Sequence, residues 1–289
     1  MRIIVLGVDG MLGHVVFNHF RNQNLNVVGT SRRNHDSKNI YKFDILDAND
    51  SLENLLNLDA DIIINCIGII KPKIDVNSFQ SFGNTIKVNS VFPHVLSEIS
   101  MRFSCKVIQI ATDCVFDGRT GNYVESSNHN AVDLYGKSKS IGEVVSDRFY
   151  NLRTSIIGPE YKTSYSLLEW FRSLPFGAEV SGFSNHNWNG ITTLSFAKIC
   201  QGIIEHSLWN DLSSLQHVVP VNTVTKYQIL NEFKIKINRS DITVNDVESN
   251  EPIDRTLRTE NPDLNNLLWS AAGYSSLPRI DSLINEMML

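Results

Sequence analysis

The sequence of 289 residues predicts a doubly wound α/β fold, in which helices cover both faces of a parallel sheet. Two observations support this prediction. Short apolar runs alternate along the first half of the chain with segments of helical periodicity, which is the pattern of strand–helix–strand units. A glycine-rich turn also joins the first apolar run to the first helix, at a place where such sheets bind ligands.

Six runs are predicted as strands from their apolar and β-branched residues. In chain order they are 2–6, 25–29, 40–43, 61–66, 106–111 and 150–157. Helical patterns between them cover 11–22, 50–56, 86–103 and 137–148, and a last helix is predicted after Pro278. From about residue 158 the elements shorten, so we predict a sheet domain at 1–157 and a smaller substrate-binding region at 158–289, packing partly on the first domain.

Composition and charge narrow the class of protein. Hydrophobic residues make up 42% of the chain and charged residues 20%, which is ordinary for a globular enzyme. The net charge is −5 and no basic tract exceeds two residues, which argues against binding to nucleic acid or an anionic membrane. The chain starts directly in the first strand, with no apolar run long enough for a signal peptide or a membrane span, so we expect a cytoplasmic protein.

Metal and nucleophile chemistry are not indicated. The four cysteines show no C-x-x-C spacing, so neither a zinc site nor a disulfide framework is predicted. The eight histidines show no ligand spacing, and no Ser/His/Asp arrangement is evident. No metal is therefore predicted, although a divalent ion at the substrate or at a dimer contact is left open.

The glycine turn predicts what the chain binds. Gly7, Gly10 and Gly13 follow the first strand, and the first helix begins at Met11. Without side chains in the turn, its N–H groups can approach a pyrophosphate, and the N-terminal partial charge of the helix faces the same anion. A turn without a ligand is the alternative. The order of strand, turn and helix favours the dinucleotide, as in a Rossmann-type domain.

The segment after the second strand predicts the phosphate state of that dinucleotide. An NAD-specific protein places an acidic residue about twenty residues after the glycines, to bind the ribose 2′-hydroxyl. Here Ser31, Arg32 and Arg33 stand in that region. Guanidinium groups bind phosphate through charge-assisted hydrogen bonds, so we expect NADPH, with NADH as the alternative. Exposed arginines in an ordinary loop are the other interpretation.

A candidate catalytic group comes from Thr112, Tyr135 and Lys139. Positions i and i+4 place Tyr135 and Lys139 on one helical face, so the ammonium is expected to lower the pKa of the phenol from about 10. A phenol tuned in this way can exchange a proton with substrate near neutral pH. Thr112 ends a strand, and its hydroxyl is placed to bind the same substrate oxygen.

Longer motifs around these residues carry a family resemblance. The glycine spacing G-x-x-G-x-x-G is similar to that of short-chain dehydrogenase/reductases. Segments 110–118, 123–125 and 134–143 resemble those of extended short-chain reductases that act on nucleotide sugars, and most of all the dTDP-4-dehydrorhamnose reductase (RmlD-like) family. Further matches are 65–68, the pair Val88-Asn89 with Pro93, and 152–155. The likeness is strong over about 1–158 and fainter beyond.

The resemblance implies roles for individual residues. Thr112 and Tyr135 would hold the substrate carbonyl oxygen, Tyr135 would deliver the proton, and Lys139 would also bind the nicotinamide ribose. It further places Asp44 and Ile45 beside the adenine, although a turn residue is the plain reading of Asp44. The whole set of cofactor-binding residues predicted is Gly7, Gly10, Met11, Leu12, Gly13, Ser31, Arg32, Arg33, Asp44, Ile45, Asn65, Cys66, Ile67 and Lys139. For Asn65, a satisfied polar group at a strand end is the alternative.

The predicted substrate-facing residues are Asp113, Cys114, Ile156 and Trp188. Relatives of the rhamnose pathway carry Tyr where this chain has Cys114 and Trp where it has Ile156, so we expect a pocket of different shape and a sugar other than the rhamnose precursor. Trp188 lies in a polar loop that could line the pocket, and hydrophobic filler is its alternative role.

The resemblance implies reduction of a 4-keto group on a deoxyhexose linked to a nucleoside diphosphate, in the synthesis of cell-surface polysaccharide precursors. The nucleotide sugar is the expected partner, and a homodimer is left open. An epimerase or dehydratase on the same scaffold is one alternative, although Asp113 followed by Cys114 lacks the base of a dehydratase. A non-catalytic NADP-binding regulatory subunit of methionine adenosyltransferase is the other, and the intact Thr112, Tyr135 and Lys139 weigh against it.

Overall fold

The computed structural model describes residues 1–47, 59–161 and 164–288. Its centre is a parallel sheet of seven strands in the order β11-β6-β5-β4-β1-β2-β3. Those strands are β1 (Ile3–Leu6), β2 (Val27–Ser31), β3 (Ile40–Lys42), β4 (Ile62–Asn65), β5 (Lys106–Thr112), β6 (Phe149–Thr154) and β11 (Leu215–His217). Because the strand order reverses beside β1, the carboxyl ends of β1 and β4 open a crevice, as the sequence predicted for a doubly wound sheet.

Helices flank this sheet. In the described part of the chain they are α1 (Met11–Asn22), α2 (Phe79–Ile86), α3 (Phe92–Phe103), α4 (Leu134–Ile141), α5 (Leu167–Arg172), α6 (Thr193–Glu205), α7 (Lys226–Lys236), α8 (Pro262–Ala271) and α9 (Ile280–Met288). A π-helical segment, Lys87–Val91, joins α2 to α3. None of the described helices is long and apolar enough to cross a membrane.

One face of the sheet packs on α1, α6 and α8. Phe17 and Phe20 of α1 and Phe196 of α6 are fully or almost fully buried in the same apolar cluster as Val5 of β1. The strand is buried on both faces, which explains its unbroken apolar run. On the other face, Phe92 and Leu96 of α3 belong to a second cluster.

The second half of the chain builds small sheets and a third apolar cluster. The pairs β7 (Ile156–Ile157) with β10 (Ile191–Thr192), and β8 (Glu179–Phe183) with β13 (Thr243–Val247), are both parallel. The strand β9 (His186–Trp188) pairs with β12 (Val224–Thr225) and β14 (Ile253–Asp254). Strand β11 returns to pair with β6 at the edge of the main sheet. The second half of the chain therefore supplies the edge strand of the main sheet.

Several predicted boundaries are wrong. The second strand is two residues later than predicted, so Thr30 and Ser31 lie in β2 and are buried. The helix predicted from residue 86 begins at Phe79, because Ser78 caps it by accepting from the Ser81 N–H. The strand predicted over 150–157 is divided at Ser155 into β6 and β7. The helix predicted at 50–56 lies outside the described residues.

The helix predicted at 137–148 is also wrong at both ends. Helix α4 begins at Leu134, where the Asp133 side chain accepts from the Gly136 N–H, and it ends at Ile141. A Cβ on Gly142 would lie 1.9 Å from the carbonyl oxygen of Asn89, so the chain meets the π-helical segment there and turns away. Tertiary packing ends this helix.

Candidate functional site

The glycine turn between β1 and α1 is built for close backbone approach. Gly7 has φ of +82°, a conformation that favours glycine, and its N–H donates to the carbonyl oxygen and hydroxyl of Thr30, each at 3.2 Å. A Cβ on Gly13 would lie 2.2 Å from the Gly7 carbonyl oxygen. Both glycines are therefore required by the fold of the turn.

Gly10 is not required by the packing of the protein itself. It has ordinary extended backbone angles, and a Cβ there would meet the Gly7 carbonyl oxygen at 3.4 Å, an ordinary contact. It is exposed at the N-terminus of α1, which no side-chain cap covers among the described residues. The side chain is thus absent where a dinucleotide phosphate would approach the N–H groups, so these residues fit such a cofactor.

The end of β2 holds the residues predicted to read the adenosine ribose. Ser31 is buried, whereas Arg32 and Arg33 are exposed. The Ser31 hydroxyl accepts from the Arg33 N–H at 3.0 Å and donates to the Asp9 carboxylate at 2.5 Å. Sequence reasoning missed Asp9, because its 22-residue separation from Ser31 gives no local signal.

The remaining predicted cofactor residues line the ends of β3 and β4. Asn65 is buried and its side chain is engaged within the protein: its amide donates to Gln109 at 2.8 Å and its oxygen accepts from the Ile67 N–H at 3.1 Å. Its side chain thus orients the loop. Ile67 reaches the glycine turn, since its Cγ1 would lie 2.8 Å from a Cβ on Gly7. Asp44 accepts from the Leu46 N–H, a turn contact, and precedes half-buried Ile45.

Thr112 and Tyr135 are brought together by a close contact between two elements. Thr112 ends β5, and its hydroxyl accepts from the Cys114 N–H and donates to the Asp113 carboxylate, both at 3.2 Å. A Cβ on Gly136 would lie 2.2 Å from the Cys114 carbonyl oxygen. Glycine next to Tyr135 therefore allows α4 to approach the end of β5, with the Thr112 hydroxyl in hydrogen-bonding contact with the phenol.

The electrostatics of Tyr135 differ from the sequence prediction. Burial raises the pKa of Tyr135, with the Cys114 thiol adding to the rise and the Thr112 hydroxyl opposing it. The Lys139 ammonium, 7% exposed, donates to the Ile110 carbonyl at 3.1 Å, and burial lowers the pKa of Lys139 against the effect of the Glu143 carboxylate. The predicted lowering of the phenol pKa is wrong for this structure, because burial raises that pKa.

Lys139 also links the catalytic group to the cofactor strand. Its charge interacts with the Cys66 thiol at the end of β4. Burial raises the pKa of that thiol, and the Lys139 charge opposes the rise. The ammonium therefore binds β5 and acts electrostatically on a residue predicted to hold the cofactor. The residues predicted to act on substrate and those predicted to hold the cofactor meet at the carboxyl ends of β4 and β5.

Asn89 is a further residue of the site, named by sequence reasoning only as part of a family match. It lies in the π-helical segment and is buried. Its amide donates to the Ile69 carbonyl at 2.9 Å and to the Ser138 hydroxyl at 3.0 Å, while its oxygen accepts from the Ile69 N–H at 2.8 Å. Asn89 thus braces the loop after β4 against α4.

Two of the predicted substrate-facing residues, Asp113 and Trp188, are linked by hydrogen bonds through Ser155, whereas Ile156 lies apart from them. The Trp188 indole N–H donates to the Ser155 hydroxyl at 2.8 Å, and Ser155 in turn hydrogen-bonds to Asp113. Burial raises the pKa of Asp113, and the Arg255 guanidinium opposes that rise. Ile156 is half-buried on β7 and packs on the first apolar cluster. Sequence reasoning named Ser155 only within the family match at 152–155, and it missed Arg255.

A buried ionic cluster lies behind α4. The fully buried Arg153 guanidinium pairs with Glu143 and donates to Nε2 of His217 at 2.7 Å and to Nε2 of His129 at 2.6 Å. Its cation also lies 5.2 Å from the centre of the Phe116 ring. Glu143 also acts on Lys139, because its negative charge raises the pKa of that lysine. The cluster therefore fixes the position of a carboxylate that influences the predicted catalytic lysine.

Comparison with known proteins gives relatives of two kinds. A probable low-salt glycan biosynthesis reductase, Agl14, from Haloferax volcanii is 31% identical over 147 residues, which are 50% of this chain and 48% of that protein. The methionine adenosyltransferase 2 subunit beta of Danio rerio is 27% identical over 236 residues, which are 79% of this chain and 71% of that protein. The match to Agl14 thus spans about half of its length.

Solved structures of similar fold cover the whole chain. A dTDP-4-dehydrorhamnose reductase from Bacillus anthracis, in complex with NADP, aligns with a TM-score of 0.77 at 18% identity over 99% of this chain and 98% of that chain. One from Clostridium acetobutylicum aligns with a TM-score of 0.76 at 18% identity over 100% and 98%. At this identity the likeness concerns the fold. The family described as the RmlD substrate binding domain matches residues 1–288, and the chain belongs to that family.

Proposed function

We propose that this protein uses NADPH to reduce a 4-keto group on a deoxyhexose linked to a nucleoside diphosphate. The observation that carries the proposal is the meeting of Thr112, Tyr135 and Lys139 at the end of β5, beside a glycine turn whose Gly10 is exposed. A phenol next to a hydroxyl can hold a carbonyl oxygen from two sides, which is what carbonyl reduction requires.

Each residue has a task in this reaction. When bound, the reduced nicotinamide supplies the hydride for the carbonyl carbon. Tyr135 donates the proton to the carbonyl oxygen, so the products are the alcohol and the oxidised cofactor. Thr112 hydrogen-bonds the same oxygen, and Lys139 stabilises the phenolate that Tyr135 becomes. Members of the Asp113, Ser155 and Trp188 group border the sugar.

NADPH is the proposed cofactor because Arg32 and Arg33 stand where an NAD-specific protein would carry an acid. We further propose that the reaction takes place in the cytoplasm and serves the synthesis of polysaccharide precursors. Since Cys114 is smaller than the Tyr that relatives of the rhamnose pathway carry, the proposed substrate is a related 4-keto sugar of different shape.

A second function is favoured by one specific observation. The similarity to methionine adenosyltransferase 2 subunit beta extends over 79% of this chain, and that protein is named as a subunit of another enzyme. A regulatory subunit would require no proton donor aimed at a substrate. The geometry of Thr112 and Tyr135 therefore supports the reductase.

The experiment that tests the proposal mixes purified protein and NADPH with a panel of nucleotide-linked 4-keto sugars and follows the absorbance of the reduced cofactor. We expect oxidation of NADPH that depends on both protein and one class of sugar. A panel without turnover, together with altered activity of an added methionine adenosyltransferase, would favour the regulatory function instead.

A further inference from the structure

A carboxylate stands at the end of β2, although the sequence of that segment contains none at the expected place. It belongs to Asp9, in the middle of the glycine turn. The carboxylate accepts from the buried Ser31 hydroxyl at 2.5 Å, and its other oxygen lies 3.4 Å from Nε2 of His35. The contact with Ser31 fixes Asp9 beside the last residue of β2.

This location has a defined chemistry in dinucleotide-binding sheets. An acidic group at the end of the second strand accepts from the ribose 2′-hydroxyl of NADH and repels the 2′-phosphate of NADPH. A carboxylate offers about four lone-pair positions and can accept from several donors at the same time. The acidic group that sequence reasoning looked for after β2 is thus supplied by another part of the chain.

Two groups of opposite charge therefore act on the same region. Arg32 and Arg33 follow Ser31 directly, and the Arg33 N–H donates to the same hydroxyl that binds Asp9. Both guanidinium groups are on exposed residues, whereas Ser31, which fixes the carboxylate, is buried. Water screens an exposed charge more strongly than a half-buried one. The Asp9 carboxylate is therefore expected to act more strongly on a bound ribose or phosphate than either guanidinium group does.

We propose that Asp9 determines cofactor specificity, by accepting from a ribose 2′-hydroxyl and opposing a 2′-phosphate. The protein then binds NADH as well as NADPH, and its preference is the balance between Asp9 and the two arginines. This inference rests on the proposed function, because it requires that the glycine turn hold a nicotinamide dinucleotide.

The test is a pair of fluorescence titrations, with NADPH and with NADH, on the wild-type protein and on Asp9→Asn. Asparagine keeps the size of the side chain and an oxygen that accepts from Ser31, while it removes the charge. The matched control is Asp36→Asn, which removes the same charge from an exposed position in the loop after β2.

We expect Asp9→Asn to raise the ratio of NADPH affinity to NADH affinity by about tenfold or more, as expected for a nearby like charge in a partly screened site. Asp36→Asn should leave the ratio within about twofold of the wild type. If both nucleotides bind and Asp9→Asn leaves their ratio unchanged, the inference about Asp9 is wrong and the proposed function stands. If the wild-type protein binds neither nucleotide, the proposed function fails and the inference fails with it.

Discussion

Tyr135 holds its proton more firmly than an exposed tyrosine, because burial raises its pKa. At neutral pH the side chain is therefore a phenol that can donate, which suits the reduction of a carbonyl better than the reverse oxidation. The same burial makes the phenolate costly once the proton has left. The Thr112 hydroxyl lowers the pKa of Tyr135 and so offsets part of this cost.

The Tyr135→Phe variant tests this assignment. We expect turnover to fall by at least about 100-fold, the low end for general acid catalysis, while the fold and the affinity for the cofactor are retained. Steady-state kinetics and cofactor titration measure the two effects. Tyr150→Phe is the control, since its hydroxyl bonds to the Asp147 carbonyl near the start of β6. Turnover of Tyr135→Phe close to that of the wild type would exclude the phenol as proton donor.

Arg32 and Arg33 define a second prediction for single residues. Both are exposed, so each contact with a 2′-phosphate is expected to contribute about 1 kcal/mol or less, as solvent-screened ion pairs do. Arg32→Ala and Arg33→Ala should each weaken NADPH binding by up to about fivefold and leave NADH binding unchanged. Isothermal titration with both cofactors measures this. Equal losses for NADPH and NADH would show that the arginines do not contact a 2′-phosphate.

At the scale of elements, the position of α4 depends on a missing side chain. Gly136→Ala would place a Cβ 2.2 Å from the Cys114 carbonyl oxygen, so the helix must move away from β5. We expect a loss of about 2 kcal/mol in the free energy of unfolding and a large loss of turnover. Gly83→Ala in α2 is the control, because a Cβ there would meet nothing within 4 Å.

Chemical denaturation of the two variants separates the effects. Gly83→Ala should raise the free energy of unfolding by about 0.5–1 kcal/mol, because alanine is the better helix former. If Gly136→Ala is as stable and as active as the wild type, the close approach of α4 to β5 is not required for the site.

The elements show which features the sequence could predict. Strand β1, helix α1 and the glycine turn were predicted correctly, because each is specified by neighbouring residues. The end of α4 was not predicted correctly. Gly142 ends the helix by packing on Asn89, which lies 53 residues earlier in the chain. A pattern of neighbouring residues cannot predict a contact between residues so far apart in the sequence.

The same distinction holds within the site. The spacing of Tyr135 and Lys139 is a local pattern and identified the helix that carries both. The partner of Ser31 is Asp9, in the turn after the neighbouring strand β1, and the pKa of Tyr135 depends on burial in the folded chain. Charge and burial at a site are properties of the folded chain, so sequence reasoning gave the wrong direction for that pKa.

At the scale of the whole molecule, the cluster around Arg153 joins the two halves of the chain. His217 of β11 accepts from Arg153 of β6 through Nε2, and its Nδ1–H donates to the Arg258 carbonyl at 2.6 Å. Both ring nitrogens are thus used by a neutral imidazole. Protonation of Nε2 would bring a second cation against the buried guanidinium.

This arrangement predicts a pH dependence of stability. Burial, with the Arg153 charge adding to it, lowers the pKa of His217 from 6.5 to about 4. Between these values the unfolded chain binds a proton that the native protein does not, so the free energy of unfolding should fall as the pH decreases from about 6.5 to 4. The full loss from this group is about 3 kcal/mol, measured by urea denaturation across that range.

His217→Gln is the variant that tests this cause. Its side chain does not titrate, so the slope of stability against pH should become flatter between pH 6.5 and 4, even if the variant is less stable at every pH. Exposed His206→Gln is the control and should keep the wild-type slope. A slope that His217→Gln leaves unchanged would place the pH dependence in other groups.

The proposed reaction is the transfer of a hydride from a nicotinamide cofactor to the keto carbon of a nucleotide sugar, with Tyr135 as the proton donor. The most direct measurement uses each of the two stereospecifically deuterated forms of NADPH with the substrate panel, followed by mass spectrometry of the sugar product. We expect one of the two forms to place a single deuterium on the reduced carbon, and we expect Tyr135→Phe to form this product at least about 100-fold more slowly. An isomerised or dehydrated sugar without deuterium, or no new sugar while NADPH stays reduced, would contradict the account.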